Sequence, residues 1–203
     1  MASYRNIFLA VLMTSVVWVQ AGEPVSGTRL SGVLSGAAYE LSAQGLKFPA
    51  TELLSLSWIG ADAEAAVYEL DANGMYVALE GTRHQAAVVY EHIYPNIDLI
   101  VFPPASVQGA RTVVRYEFVV YPGGNPAHIK AQAAELTGLR VTTAFQVQGE
   151  GVISPVTARL APNQGTVQVQ ASVYEMATPL VVRMEQELGQ LDQTAAGVNV
   201  SAR

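Results

Sequence analysis

The sequence predicts an all-β domain: an antiparallel, sandwich-like fold with short helical turns at most, preceded by a signal peptide. Three observations predict it. Apolar residues recur at every second position in several stretches. Pro, Gly and Asn clusters break those stretches at short intervals. No strand–helix–strand rhythm appears that would call for a parallel sheet.

The first segment stands apart from the fold. Arg5 gives a positive start, Ile7 to Val19 is an uncharged run broken only by Thr14 and Ser15, and Val19-Gln20-Ala21 places small residues before Gly22. That is the pattern of a secretory leader, residues 1–21, cleaved after Ala21. The apolar run falls short of the ~20 residues that span a bilayer. Export to the periplasm, the cell surface or the medium is therefore expected, with membrane contact only through an uncleaved leader. Residues 22–29 read as a flexible lead-in, 30–184 as the β-domain and 185–203 as a polar tail.

Within the domain, Leu53, Leu56 and Trp58 mark a first strand. Ala61 to Leu70 is rich in Ala and Glu and predicts a helical turn or two. Asp71-Ala72-Asn73-Gly74 carries a hairpin signal between apolar runs. Met75 to Leu79, Val88 to Tyr90 and Ile97 to Phe102 read as strands. Val113 to Tyr121 is a stronger one: Val114, Tyr116, Phe118 and Val120 share one face, and Arg115, Glu117, Val119 and Tyr121 the other. It stops at Pro122-Gly123-Gly124-Asn125-Pro126, which cannot continue a ladder. Ala131 to Leu136 predicts another helical turn. Val167, Val169, Ala171 and Val173 alternate with Gln168, Gln170, Ser172 and Tyr174, a half-buried strand with a neutral wet face. Pro179 to Met184 reads as the last strand.

Composition narrows the function classes. The chain of 203 residues is 50% hydrophobic and 14% charged, with 11 Lys and Arg against 17 Asp and Glu, net −6, and no Cys. A thiolate metal site, a Cys nucleophile and a disulfide scaffold are excluded. An acidic chain whose only lysines are Lys47 and Lys130 has no phosphate footprint, so nucleic acid is not an expected partner.

One arrangement is distinctive. His92-Ile93-Tyr94-Pro95-Asn96-Ile97-Asp98-Leu99-Ile100 is followed by Arg115-Tyr116-Glu117-Phe118-Val119-Val120 and then by Pro122-Gly123-Gly124-Asn125-Pro126. This order resembles a secreted bacterial β-domain with the pattern "YPgIDLvyy…leYdFvVaPGadP", found at the N-terminus of exported proteins that carry SBBP-type β-propeller repeats. Weaker matches flank it at Ala38 to Leu41, Leu56 to Ala61, Asn73 to Tyr76 and Val173 to Val182. Asn96 stands where that family has Gly, and no propeller repeats follow in this sequence. The resemblance implies a domain of unknown function with no enzymatic role to carry over. It singles out Tyr94, Pro95, Ile97, Asp98, Tyr116, Phe118, Pro122, Gly123 and Pro126 as family-motif residues. Read bottom-up, these are fold-defining: Pro95 turns the chain, Asn96 tolerates positive φ, and Asp98 is placed to accept turn amides.

No G-x-S-x-G, H-E-x-x-H, Walker A or dinucleotide fingerprint occurs. His84 and His92, with Glu91 and Asp98, follow no metal-ligand spacing and read as exposed strand-end residues. Asp62, Glu64 and Asp71 lack EF-hand spacing. No catalytic, cofactor or metal site is expected. The sequence points to a non-enzymatic exported module that is structural or binds a protein, with strand addition at an open edge as the mode. The alternative is a glycan or surface-polymer binder using Trp58 and tyrosines. A hydrolase with paired carboxylates ranks below both.

Overall fold

A computed structural model describes residues 25–26, 29–34, 37–49, 55–72, 75–79, 87–107, 111–133, 139–148, 152–163, 165–171 and 178–187. The leader, the Asn73-Gly74 turn, His84, Val173 with Tyr174, and the tail beyond Glu187 lie outside the described residues.

Among the described residues seventeen strands follow one another: β1 (Val25–Ser26), β2 (Leu30–Leu34), β3 (Ala37–Ser42), β4 (Gly45–Lys47), β5 (Leu56–Trp58), β6 (Ala66–Leu70), β7 (Tyr76–Ala78), β8 (Ala87–Tyr94), β9 (Ile97–Val101), β10 (Ala105–Val107), β11 (Arg111–Val120), β12 (Lys130–Ala133), β13 (Leu139–Gln148), β14 (Val152–Pro155), β15 (Ala158–Asn163), β16 (Thr166–Ala171) and β17 (Leu180–Glu187). A short 3-10 turn at Pro126–His128 is the helical element among the described residues. The strands form two antiparallel sheets, as the alternation predicts. A ten-stranded sheet runs β1-β6-β8-β9-β11-β17-β13-β14, with β7 beside β6 and β10 beside β11. A seven-stranded sheet runs β15-β16-β12-β5-β4-β3-β2.

The main core lies between the sheets. Val114, Tyr116, Phe118 and Val120 point into it together, as the period-two reading of β11 requires. Trp58 from the opposite sheet meets the Tyr116 and Phe118 rings edge-on, at 5.4 and 4.8 Å between centroids. Leu46, Leu56, Ala131 and Val169 complete that side.

The outer face of the ten-stranded sheet is apolar along its centre. Val89, Ile100, Val119 and Val181 are fully buried there, with Tyr68, Tyr121 and Phe145 around them. The sequence shows why: Val88-Val89, Leu99-Ile100-Val101 and Val119-Val120 are apolar at consecutive positions, so both faces of those strands are apolar. The neutral-faced pattern does hold in β16, where Val169 is buried and Gln170 exposed.

Four expectations need correction. Ala66–Leu70 is strand β6, not helix: Val67 enters the main core and Tyr68 the outer cluster, and pairing with β8 overrides the Ala/Glu preference. Ala131 likewise pairs with Trp58 and Val167 in β12. The tail begins later than residue 185, because Glu185 to Glu187 continue β17 beside both β11 and β13. Within the lead-in, Val25 and Ser26 pair with Val67 and Ala66.

Candidate functional site

The motif residues converge on two loops at one end of the ten-stranded sheet. β8 and β9 form a hairpin over Pro95 and Asn96, and their register slips between Tyr90 and Tyr94. The slip leaves His92 at φ 54° and the turn leaves Asn96 at φ 56°. Positive φ is uncommon for residues other than Gly, though His and Asn are among those enriched there. Asp98, 1% exposed, holds this distortion in place. It accepts the His92 amide at 2.7 Å, the Tyr121 hydroxyl at 3.0 Å and the Tyr76 hydroxyl at 3.3 Å. The His92 Nδ1 lies 3.3 Å from the same carboxylate. Asp98 thus takes an amide of the bulge rather than one of the Tyr94–Asn96 turn. The Tyr76 hydroxyl end is enclosed even though the residue as a whole is half-buried. Its pKa is pushed well above the usual tyrosine value, first by burial, then by the Asp98 charge and the neighbouring Tyr121.

The second loop closes on the first. Tyr121 donates its amide to the Asn96 carbonyl at 2.9 Å, and Gly124 donates to the Tyr121 carbonyl at 2.8 Å. Gly123 sits at φ 88°. A Cβ on Gly124 would stand 2.7 Å from the Asn96 oxygen, so the contact requires glycine. Asn125 then caps the short turn that begins at Pro126, its Oδ1 accepting the Ala127 amide at 3.0 Å. Tyr94 reaches across the molecule, its hydroxyl donating to the Ile59 carbonyl just beyond β5 at 3.2 Å. Ile97, Tyr116 and Phe118 are wholly inside the main core, and the Tyr116 hydroxyl is matched by Gln186 Oε1 at 3.0 Å. Pro95 is exposed at its turn; Pro122 and Pro126 are half-buried. The motif therefore brings its residues together, and the contacts it makes are internal.

A charged cluster escaped the sequence reading. Glu117, nearly fully buried, accepts from Arg183 Nε at 2.7 Å and lies 3.7 Å from Arg115 Nε. Arg115 rests over the Phe102 ring at 3.6 Å. Its signal is a cross-strand pairing, Glu117 opposite Arg183, which only the register reveals. Asp62 and Asp71 serve turns: Asp62 accepts the Glu64 amide at 2.9 Å and Asp71 the Met75 amide at 2.7 Å. Among the described residues no group of His, Asp and Glu is arranged to hold a metal.

The other feature with chemistry to offer is an edge. β2 is the terminal strand of the seven-stranded sheet. The two-residue turn at Ala43 and Gln44 makes Ser42↔Gly45 a hydrogen-bonded pair, and bonding alternates outward from it. Leu41 and Tyr39 therefore direct their backbone groups to Leu30 and Gly32 of β2. By the same alternation Ser31 and Val33 direct theirs away from the sheet. Among the described residues no other backbone group meets them. An apolar crevice opens beside this edge, lined by Leu30, Tyr39, Val88, Val101, Pro103 and Val114, with a volume of about 20 Å³, room for one water.

No curated protein and no solved structure matches the chain. A family model described as a domain of unknown function (DUF7948) matches residues 50–150, the stretch from just before β5 to just past β13 that holds both motif loops.

Proposed function

We propose that this chain is an exported, non-enzymatic interaction module that captures a protein strand at the β2 edge. The observation that carries the reading is the edge itself: Leu30-Ser31-Gly32-Val33-Leu34 is uncharged, and Ser31 and Val33 offer outward N–H and C=O groups. Such groups are a template for β-augmentation. Among the described residues the other open edges carry blocking devices or are short. β15 has exposed Arg159 and Pro162, β14 has exposed Pro155, and β13 has exposed Arg140 and a register shift at Thr142. β1, β7 and β10 are only two, three and three residues long.

The placement of the motif supports the same reading. The Asp98 oxygens and the Glu117 carboxylate are engaged by the protein's own donors, so these buried acids act as ties between strands. Trp58, on which a glycan site leaned, is 3% exposed and packs on Tyr116 and Phe118. Kinship with the N-terminal domain of SBBP-type propeller proteins, and export through the 1–21 leader, form part of the proposal. They rest on the motif order inside residues 50–150 and on the leader pattern.

The test is affinity capture from the native envelope with the protein in the form its host accumulates, beside the Ser31→Pro variant. Proline removes one outward N–H and is tolerated on edges. The proposal expects a partner recovered by the wild type and lost with Ser31→Pro. Equal recovery by both overturns it.

A further inference from the structure

We infer that the strand captured at the β2 edge is the β2 of a second copy of this chain, so that two molecules join their seven-stranded sheets across a two-fold axis. The inference rests on the strand-capture reading and names its partner.

The bonding parity of β2 is symmetric about Gly32. Ser31 and Val33, one residue to either side, carry the outward groups, while Leu30, Gly32 and Leu34 bond to β3. An antiparallel copy centred on Gly32 sets Ser31 opposite Val33 of the second molecule, and Val33 opposite its Ser31. Each such pair exchanges two hydrogen bonds, so every outward group on both edges is satisfied with no residue left over. An isologous contact of this kind closes on itself and adds no further copies.

The residue on the axis fits the role. Gly32 falls in a non-hydrogen-bonded pair, where strands approach most closely, about 4.5 Å between Cα atoms. A Cβ on Gly32 would stand 2.4 Å from the Tyr39 ring, so the ring lies across the glycine and reaches the edge. Two such rings flank the axis. Charge agrees as well. Each molecule carries a formal −6, which opposes association in general, yet the five residues of the edge carry none of it. A neutral edge is thus matched by a neutral edge.

The chain contains no Cys, which makes a register-specific test possible. Sedimentation across a concentration series should show the wild type passing from monomer to dimer. Ser31→Pro should remain monomeric with an unchanged circular dichroism spectrum. Residues of a hydrogen-bonded antiparallel pair have Cα atoms about 5.5 Å apart, inside the range of about 4.4–6.8 Å that a disulfide bridges. The double variant Ser31→Cys/Val33→Cys should therefore oxidise to a covalent dimer. Ser31→Cys alone, with no thiol opposite it, should give at least tenfold less. Ser31→Lys, at an exposed position, is the second edge variant if proline disturbs folding, and should also weaken the dimer. A wild type that stays monomeric throughout overturns the inference, as does a dimer indifferent to both edge variants. If the monomer still loses its captured partner on Ser31→Pro, the second-copy inference has failed and strand capture has not. If Ser31→Pro leaves both association and capture unchanged, both have failed.

Discussion

Asp98 is the residue on which the motif end of the molecule depends. Its carboxylate is buried beside two tyrosine hydroxyls and a backbone amide held at positive φ. Replacing it with Asn keeps the volume but removes the charge and turns one acceptor into a donor facing donors. Hydrogen bonds to a charged group contribute roughly 1.5–3 kcal/mol each, and a stranded buried donor costs more. Asp98→Asn should lower unfolding free energy by about 2–4 kcal/mol in urea, and Tyr121→Phe by about 1 kcal/mol. Because the two share one network, the double variant should lose less than the sum. The tyrosines give a pH signature. Burial raises the pKa of Tyr76, Tyr90, Tyr94 and Tyr116 above the usual value of about 10. The folded chain then keeps protons that the unfolded chain releases. Their contribution is whole below pH ~10 and falls as pH rises beyond it. Tyrosinate absorbance should therefore show these four residues ionising together with loss of near-ultraviolet circular dichroism, not before it. Gly45 is the other single-residue test. It sits at φ 142°, and a Cβ there would lie 1.9 Å from the Leu56 carbonyl oxygen. Neither backbone can yield without breaking the β4–β5 pairing, so Gly45→Ala should destabilise by more than about 3 kcal/mol on thermal unfolding.

At the scale of the element, β13 shows where sequence reading runs out. Leu139 and Val141 pack toward the main core, yet four and six residues on from Val141, Phe145 and Val147 belong to the outer cluster. The register shift between Val141 and Thr143 inserts one residue and reverses which parity faces inward. In the sequence all four stand at odd positions, so alternation alone would put them on one face. β11 and β16 contain no shift, and their alternation was legible from end to end. The short strands β12 and β6 were hidden differently. Ala131, Ala133 and Ala66 have helical propensity, and pairing partners far along the chain override it. The Pro95-Asn96 turn, the Pro122-Gly123-Gly124 loop and the need for positive φ at Asn96 were all readable, because they rest on local steric rules. The target of Asp98 was not, since the His92 amide comes within reach only through the bulge. The bulge makes a prediction of its own. Deleting Thr142 would bring Phe145 and Val147 toward the main core and send Ala144 outward. The variant should lose cooperative unfolding altogether, as measured by the width of its urea transition.

For the whole molecule, two layers with opposite tasks emerge. The ten-stranded sheet is buried along its centre on both faces, tied by Asp98 at one end and by the Glu117–Arg183 pair in the middle. That sheet holds most of the distinctive motif, and its contacts point inward. The seven-stranded sheet ends in β2, an uncharged strand whose outward backbone groups meet no partner among the described residues. The edge strand Leu30–Leu34 carries no charge where a partner strand would attach. If the chain works through this edge, the outward amides of β2 change state on association. Amide hydrogen exchange at Ser31 and Val33 tests it most directly, comparing the protein in its associated state with the diluted monomer. Both amides should exchange fast in the monomer and at least tenfold more slowly on association, with Gly32 protected in both states. Association that leaves Ser31 and Val33 exchanging at the monomer rate would contradict it.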